Sequence, residues 1–237
     1  MTGHERRPGV PTPPGLPTAA VRTEVVVPLR FGDGFASSAR VLTFDGLVDG
    51  REHLAIGLGD RAPRLAAADR RDHPPLVRLH SECLTGDVFG SLRCDCGPQL
   101  REAVERITEA GGYLLYLRQE GRGIGLYGKL DAYLLQDDGL DTYDANVALG
   151  FAADARDYTV AAQMLGALGV WSVALLSNNP DKAAQLDRLG VAVTEVVPTG
   201  VHVNEANEHY LATKAARGAH TFERDPREAR EEWEREA

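Results

Sequence analysis

Short runs of apolar and β-branched residues open the chain, separated by glycine- and aspartate-containing turns. The runs occupy 23–30, 39–44 and 53–58, and the turns fall at 32–34 and 46–50. Runs of this length with polar punctuation are typical of strands joined by tight connections. The pattern therefore predicts an antiparallel meander at the start of the fold.

Downstream, apolar runs alternate with segments whose apolar residues recur at helical spacing. The predicted strands are 76–80, 113–118, 170–177 and 191–197. The predicted helices are 98–110, 126–136, 158–168 and 180–189. This alternation favours a parallel or mixed sheet covered by helices. The expected fold class is α/β, a three-layer α/β/α mixed sheet with the antiparallel strand region at its N-terminal end. Residues 137–157 are expected to form turns and polar connections.

The two ends of the chain differ from its middle in composition. Residues 1–20 contain five prolines and three glycines, and residues 223–237 contain seven acids and four bases. Such segments offer little apolar surface to bury. The sequence predicts a disordered N-terminal tail over 1–20, one catalytic domain over 21–220 and a charged tail over 221–237.

Composition narrows the class of partner. A net charge of −9 argues against a general nucleic-acid binder. No apolar run reaches the roughly 20 residues of a membrane span, and the start lacks the apolar segment of a secretory signal. We expect a cytoplasmic protein with reduced cysteines and no membrane partner. Between Arg78 and Lys129, seven bases balance seven acids, so local arginines can meet a small anionic substrate.

All three cysteines lie within fourteen residues, at Cys83, Cys94 and Cys96. An odd number cannot pair fully, and a single intervening residue disfavours a disulfide between the last two. Clustered thiolates favour zinc or an iron–sulfur cluster, and such clusters usually take four cysteines. Three ligands predict tetrahedral zinc with an open fourth position, which is typical of a catalytic site. Two alternatives stay open: His80 as a fourth ligand in a closed structural site, or three small apolar side chains that happen to cluster.

A glycine-rich loop, 120–125, follows a predicted strand and precedes a helix. Its backbone N–H groups and the nearby Arg118, Arg122 and Lys129 suit an anion such as phosphate. The simpler interpretation is that the glycines only permit the turn.

Two further junctions carry candidate residues. Ser177 to Lys182 follows a strand and opens a helix, where open α/β sheets bind ligands. Asp154 and Arg156 precede a predicted helix, and the sequence alone favours a capping aspartate beside an exposed arginine.

Several motifs together closely resemble GTP cyclohydrolase II. The match runs in order from about residue 76 to 220, whereas the first 75 residues agree only in general character and the last fifteen not at all. The motifs that carry the resemblance are 78–87, 91–97 with Gln99, 118–126, Asp141-Thr142, 150–157, Asn178-Asn-Pro180 and 207–211.

The resemblance implies a reaction and roles for particular residues. The family hydrolyses GTP, opens its imidazole ring and releases formate and diphosphate, giving 2,5-diamino-6-(5-phosphoribosylamino)pyrimidin-4(3H)-one, the first step of riboflavin synthesis. The three cysteines match its ligands for one zinc ion per subunit, whose bound water would attack C8. Arg156 matches a proposed nucleophile at the α-phosphate, with charge stabilisation as an alternative role. Asp154 matches a proton acceptor and Tyr133 a tyrosine linked to deformylation.

The resemblance also implies the substrate contacts and partners. Magnesium is expected with the triphosphate, and a homodimer is expected from the family. Ser177 stands where the family has threonine and keeps the hydroxyl; the N-terminal segment is too short for the dihydroxybutanone-phosphate synthase domain fused to some relatives. The residues that match GTP contacts are Arg78, Leu79, His80, Ser81, Glu82, Gln99, Glu120, Gly121, Arg122, Thr142, Ser177 and Lys182.

Two other functions are consistent with these motifs. One is a paralogue of specialised metabolism that stops at a formylated product, although retention of Tyr133 argues against early arrest. The other is a zinc-stabilised nucleotide-binding module without turnover.

Overall fold

A seven-stranded mixed sheet forms the centre of the protein, in the order β1-β2-β3-β5-β4-β6-β7. The computed structural model describes residues 15–59, 74–152, 156–208 and 211. The strands are β1 (Ala20–Arg30), β2 (Ala36–Asp45), β3 (Leu54–Leu58), β4 (Leu76–Ser81), β5 (Gly112–Leu117), β6 (Ser172–Leu176) and β7 (Ala192–Val197).

The sheet has an antiparallel half and a parallel half. Strands β1, β2 and β3 pair antiparallel in chain order, which confirms the predicted meander. Strand β3 also pairs antiparallel with β5, and this pairing joins the two halves. Strands β5, β4, β6 and β7 run parallel, so their carboxyl ends share one edge of the sheet.

Helices cover both faces of this sheet. The described helices are α1 (Leu84–Asp87), α2 (Cys96–Ala110), α3 (Gly125–Asp137), α4 (Thr142–Ala148), α5 (Thr159–Ala167) and α6 (Pro180–Arg188), and it is α2, α5 and α6 that pack on the sheet. On one face, α5 and α6 pack on a core that includes Val77, Leu115 and Leu175. On the other, α2 packs on Leu58, Leu114 and Leu176. Alternate strand residues thus enter opposite cores, and the expected three-layer α/β/α class is confirmed.

Two short helices depart from the predicted elements. Helix α4 lies inside the segment predicted as turns, and Asp141 caps it by accepting from the backbone N–H groups of Tyr143 and Asp144. Helix α1 lies between Cys83 and Val88, in a stretch for which we predicted no helix. Both are shorter than the two turns or more that a periodic apolar stripe needs to be recognised.

Residues just before position 21, the predicted start of the domain, already pack on the core. Leu16 contacts the core below α5, and the Pro17 carbonyl accepts from the Gln163 side chain at 2.9 Å. Residues 1–14 and 212–237 lie outside the described residues, so the two predicted tails and the division into domains stay predictions. None of the described helices is both long and apolar enough to cross a bilayer.

Candidate active site

One cavity at the carboxyl ends of the parallel strands brings the predicted site residues together. The loops after β4, β5 and β6 form its walls, as expected for an open α/β sheet. The predicted residues that line it are Arg78, Leu79, His80, Ser81, Glu82, Cys83, Cys94, Cys96, Gln99, Glu120, Gly121, Arg122, Tyr133, Thr142, Arg156, Ser177 and Lys182. Asp154 lies outside the described residues.

The cavity wall is rich in cations. Two carboxylates, Glu82 and Glu120, also line it. A concave site with this excess of positive charge favours a polyanionic ligand inside an acidic protein. The cationic side chains are Arg78, Arg93, Arg122, Lys129, Arg156 and Lys182.

The three thiols form one cluster on the wall of this cavity. Their sulfur atoms lie within 4.8 Å of one another, with 3.6 Å between Cys83 and Cys94. Gly86 makes this approach possible, because a Cβ there would stand 2.8 Å from the Cys94 sulfur and 3.1 Å from that of Cys83. Three converging soft donors fit a zinc ion.

Contact between the thiols separates their acidities. Hydrogen bonding with Cys94 and Cys96 lowers the pKa of the Cys83 thiol, despite the opposing effect of burial. Its contact with Cys83 raises the pKa of Cys94 to about 11. A thiolate beside a protonated thiol is an arrangement that a bound divalent cation would replace with metal–sulfur bonds.

His80 is engaged away from the cluster. Its Nε2 lies 3.0 and 3.1 Å from the two carboxylate oxygens of Asp87, and its ring stacks on Tyr116 with centroids 5.6 Å apart. Burial lowers the pKa of His80, which favours the neutral imidazole. This geometry supports His80 as part of the cavity wall rather than as a fourth metal ligand.

Asp87 is a residue of the site that sequence analysis missed. Its side chain is only 2% exposed. Besides His80, it accepts from the backbone N–H of Cys83 at 3.0 Å and from the Tyr116 hydroxyl at 2.8 Å. It therefore ties α1 and two strands to the first cysteine. Its place four residues after Cys83 was the available signal.

A second buried carboxylate, Asp95, lies between the other two cysteines. It is completely buried, and its Oδ2 accepts from Gln99 Nε2 at 2.6 Å. Gln99 also accepts from Arg78 at 2.6 Å and donates to the Gly200 carbonyl at 3.2 Å. The Cys94–Cys96 turn is thus linked to β4 and to the segment after β7.

Several predicted substrate contacts have protein partners. Arg78 also donates to the Leu176 carbonyl at 3.3 Å, and Lys182 donates to the Leu79 carbonyl at 2.7 Å. Glu120 accepts from the Leu84 backbone N–H at 2.7 Å. These contacts hold the side chains in place on the cavity wall, and their roles toward a ligand stay predictions.

Tyr133 and Arg122 both line the cavity, and each stacks with another side chain. The guanidinium of Arg93 stacks over the Tyr133 ring, 4.4 Å from its centroid, and burial raises the pKa of the Tyr133 phenol. Arg122 lies over the Tyr143 ring at 4.3 Å. Its φ of 62° makes it the described non-glycine residue with a left-handed backbone, a costly conformation that often accompanies function.

Comparison with known proteins gives one consistent family. A model of the family GTP cyclohydrolase II matches residues 21–198. The chain is 51% identical over 192 residues to the GTP cyclohydrolase-2 of Aliivibrio fischeri, covering 81% of this chain and 93% of that protein. It is 53% identical over 182 residues to the GTP cyclohydrolase-2 of Vibrio vulnificus, covering 77% and 88%.

A longer relative also matches most of the chain. The chain is 50% identical over 198 residues to the riboflavin biosynthesis protein RibBA of Bacillus velezensis, covering 83% of this chain and 47% of that protein. The family match covers well over half of the chain, and it includes every residue that lines the cavity except Thr199. The chain belongs to the GTP cyclohydrolase II family.

Proposed function

We propose that the protein hydrolyses GTP, releasing formate and diphosphate, and thereby supplies the first intermediate of riboflavin synthesis. The observation that carries this proposal is the shared cavity of a three-thiol cluster and six cationic side chains. One part suits a hydrolytic metal and the other a triphosphate. Family membership supplies the identity of the substrate.

The thiols of Cys83, Cys94 and Cys96 would hold one zinc ion. When bound, zinc would supply Lewis acidity toward water and the imidazole carbon C8. Gly86 keeps the space between the sulfurs clear, Asp87 holds the backbone N–H of Cys83, and Asp95 holds the side chain of Gln99. The chain thereby presents its ligands without needing a large rearrangement.

The cationic wall would orient the triphosphate. Arg122 and Arg156 line the cavity and offer forks that match phosphate oxygens bidentately. We assign Arg156 to the α-phosphate, as nucleophile or as charge stabiliser, and Asp154 to the accompanying proton transfer. Tyr133 lines the same cavity, and burial raises the pKa of its phenol, which supports a role for it as proton donor during deformylation.

Three further parts of the proposal concern the metal ion bound with the substrate, the oligomeric state and the location in the cell. Mg²⁺ would bridge the triphosphate oxygens, as phosphoryl chemistry generally requires. A second copy of the chain would cover the apolar face of α3, where Tyr127, Leu130 and Leu134 are 82%, 42% and 67% exposed. We expect a cytoplasmic homodimer, which sedimentation would test by giving twice the chain mass.

The decisive experiment measures products from GTP. The purified protein with zinc and Mg²⁺ should release one formate and one diphosphate per GTP consumed. Removing zinc with a chelator should abolish formate release, and adding zinc back should restore it. Cys94→Ser should prevent restoration, whereas Arg156→Ala should lose turnover while keeping the metal. Failure of the intact protein to consume GTP in the presence of both metals would overturn the proposal.

The same assay separates the two other candidate functions. Release of diphosphate without formate would identify the paralogue that keeps a formylated product. A binding module without turnover predicts that Asp154→Ala and Arg156→Ala have no effect. The cavity favours an enzyme over a binding module, because Tyr133 and Arg156 line the same space as the thiols.

A further inference from the structure

Lys129 of α3 points its ammonium group at the thiol cluster. Its Nζ lies 3.1 Å from the Cys83 sulfur, 2.9 Å from the Thr85 hydroxyl and 2.9 Å from Glu120 Oε1. An ammonium group has three hydrogens, and these three acceptors use all of them. The side chain is 11% exposed, so the cation is held inside the site rather than extended toward solvent.

The partners of Lys129 brace the same segment. Glu120 accepts from the Leu84 backbone N–H at 2.7 Å, and Leu84 follows Cys83 directly. Gly121 permits the close approach of α3, because a Cβ at position 121 would stand 3.0 Å from the Cβ of Lys129. Its φ of +62° also favours glycine. The glycine-rich loop therefore has a structural purpose at the metal site in addition to any contact with substrate.

The contact between the Lys129 ammonium and the Cys83 sulfur matters because of the charge of the thiol cluster. With zinc bound, all three sulfurs would be thiolates, and one divalent cation would leave the cluster with a net negative charge. An ammonium hydrogen-bonded to one sulfur offsets that excess and withdraws electron density from the sulfur. Charge-assisted contacts of this kind are stronger than neutral hydrogen bonds.

We propose that Lys129 is a positioning residue of the metal centre, which fixes the Cys83 sulfur and compensates its charge, rather than a contact for the triphosphate. This inference rests on the proposed zinc site. It differs from the sequence interpretation, in which Lys129 was one of several cations around an anion-binding loop.

The test is zinc affinity, measured by competition with a chromogenic chelator. Lys129→Met removes charge and donor, Lys129→Gln removes the charge alone, and Lys129→Arg keeps the charge. Met and Gln should each weaken zinc binding roughly 10- to 100-fold, the usual effect of losing a group that supports a metal ligand. Arg should bind more tightly than either. Arg122→Met is the matched control, because that cation lines the same cavity but stacks on Tyr143, and it should leave zinc affinity unchanged.

A spectroscopic measurement separates this role from a general effect on folding. In the cobalt-substituted protein, a thiolate that loses its ammonium hydrogen bond (Lys129→Met), or receives a weaker one from a neutral amide (Lys129→Gln), becomes a better electron donor. The sulfur-to-cobalt charge-transfer band should therefore move to longer wavelength in Lys129→Met and Lys129→Gln, and stay in place in Arg122→Met.

The outcomes distinguish the inference from the proposed function. If the unaltered protein binds no zinc, the metal part of the proposed function fails. If it binds zinc and the Met and Gln variants match it in affinity and band position, only the role of Lys129 is overturned. Should the Met variant misfold, the order of affinities between Arg and Gln decides, and an equal or tighter Gln variant overturns the inference.

Discussion

Arg78 Nη2 donates to Gln99 Oε1 at 2.6 Å, and both side chains are at least nine-tenths buried. Gln99 also connects Arg78 to the cysteine cluster, because its Nε2 donates to Asp95, which lies between the second and third cysteines in the sequence. A cation on β4 is thus coupled through one amide to the metal-ligand turn. Arg78 and Gln99, which we expected to contact GTP, therefore also fix the position of the thiol cluster relative to the sheet.

Replacing Gln99 with methionine tests this coupling. The variant should lose about 1–3 kcal/mol of unfolding free energy, because Arg78 and Asp95 would each lose a buried partner. Chemical denaturation at neutral pH measures the loss. Gln136→Met is the matched control: Gln136 lines the same cavity but is half-buried. A change within about 0.5 kcal/mol in both variants would show that the amide carries no such coupling.

Asp87 gives a second prediction, on the opposite side of the cluster. Asp87→Asn keeps the shape but turns an NH2 group toward donors, namely the Cys83 N–H, the Tyr116 hydroxyl and His80. We expect about a 10- to 100-fold loss of zinc affinity, because the first cysteine would no longer be fixed. Competition with a chelator measures it. Asp138→Asn, at an exposed position after α3, should behave as the unaltered protein does. Equal affinities for all three would contradict the assignment.

The fold was largely predictable from the sequence, because the side chains that a strand or helix buries leave a recognisable pattern of apolar residues along the chain. Strand β5 shows why: Leu114 enters one core while Tyr113 and Leu115 enter the other, which gives a continuous apolar run. The helices α1 and α4 were missed because each is too short to show a repeat. Asp141, which caps α4, was visible only as part of a family motif.

The membership of the site was also predictable, but the partners of its residues were not. Cysteine spacing and the glycine loop pointed to the residues that line the cavity. Whether Lys129 meets a thiol or a phosphate depends on distances of a few ångströms between α3 and α1, which no local pattern encodes. Asp87 lies four residues after Cys83, but that spacing does not reveal the three donors that surround its carboxylate.

The segment after β7 gives a prediction of pH dependence. Burial raises the pKa of Glu102, but hydrogen bonds from His202, Arg106, Gly200 and Thr199 outweigh it and lower the pKa to about 2. Because the folded value lies below the usual 4.5, the stabilisation is present above about pH 4.5 and is lost as the pH falls toward 2.

Glu102→Gln should therefore reduce unfolding free energy by on the order of 2–3 kcal/mol at pH 7. The difference from the unaltered protein should shrink steadily when denaturation is repeated at pH 4 and pH 3. Glu109→Gln, at an exposed position on the same helix, should show no comparable difference at any of these pH values. A deficit in Glu102→Gln that stays constant with pH would contradict the ionic role of this carboxylate.

The stacking of Arg122 on Tyr143 gives a prediction about substrate binding. The guanidinium lies 4.3 Å from the ring centroid, on a backbone already held in the left-handed region. If Arg122 contacts the triphosphate, Tyr143 acts as its positioning residue. Tyr143→Leu should then raise KM for GTP about two- to fivefold, as expected from losing roughly 0.5–1 kcal/mol of cation–π energy, with kcat little changed. Tyr143→Phe keeps the ring face and should match the unaltered enzyme. A fall in kcat at constant KM for the Leu variant would instead place Tyr143 in the chemical step, and equal KM values for Leu and Phe would show that the ring does not orient Arg122.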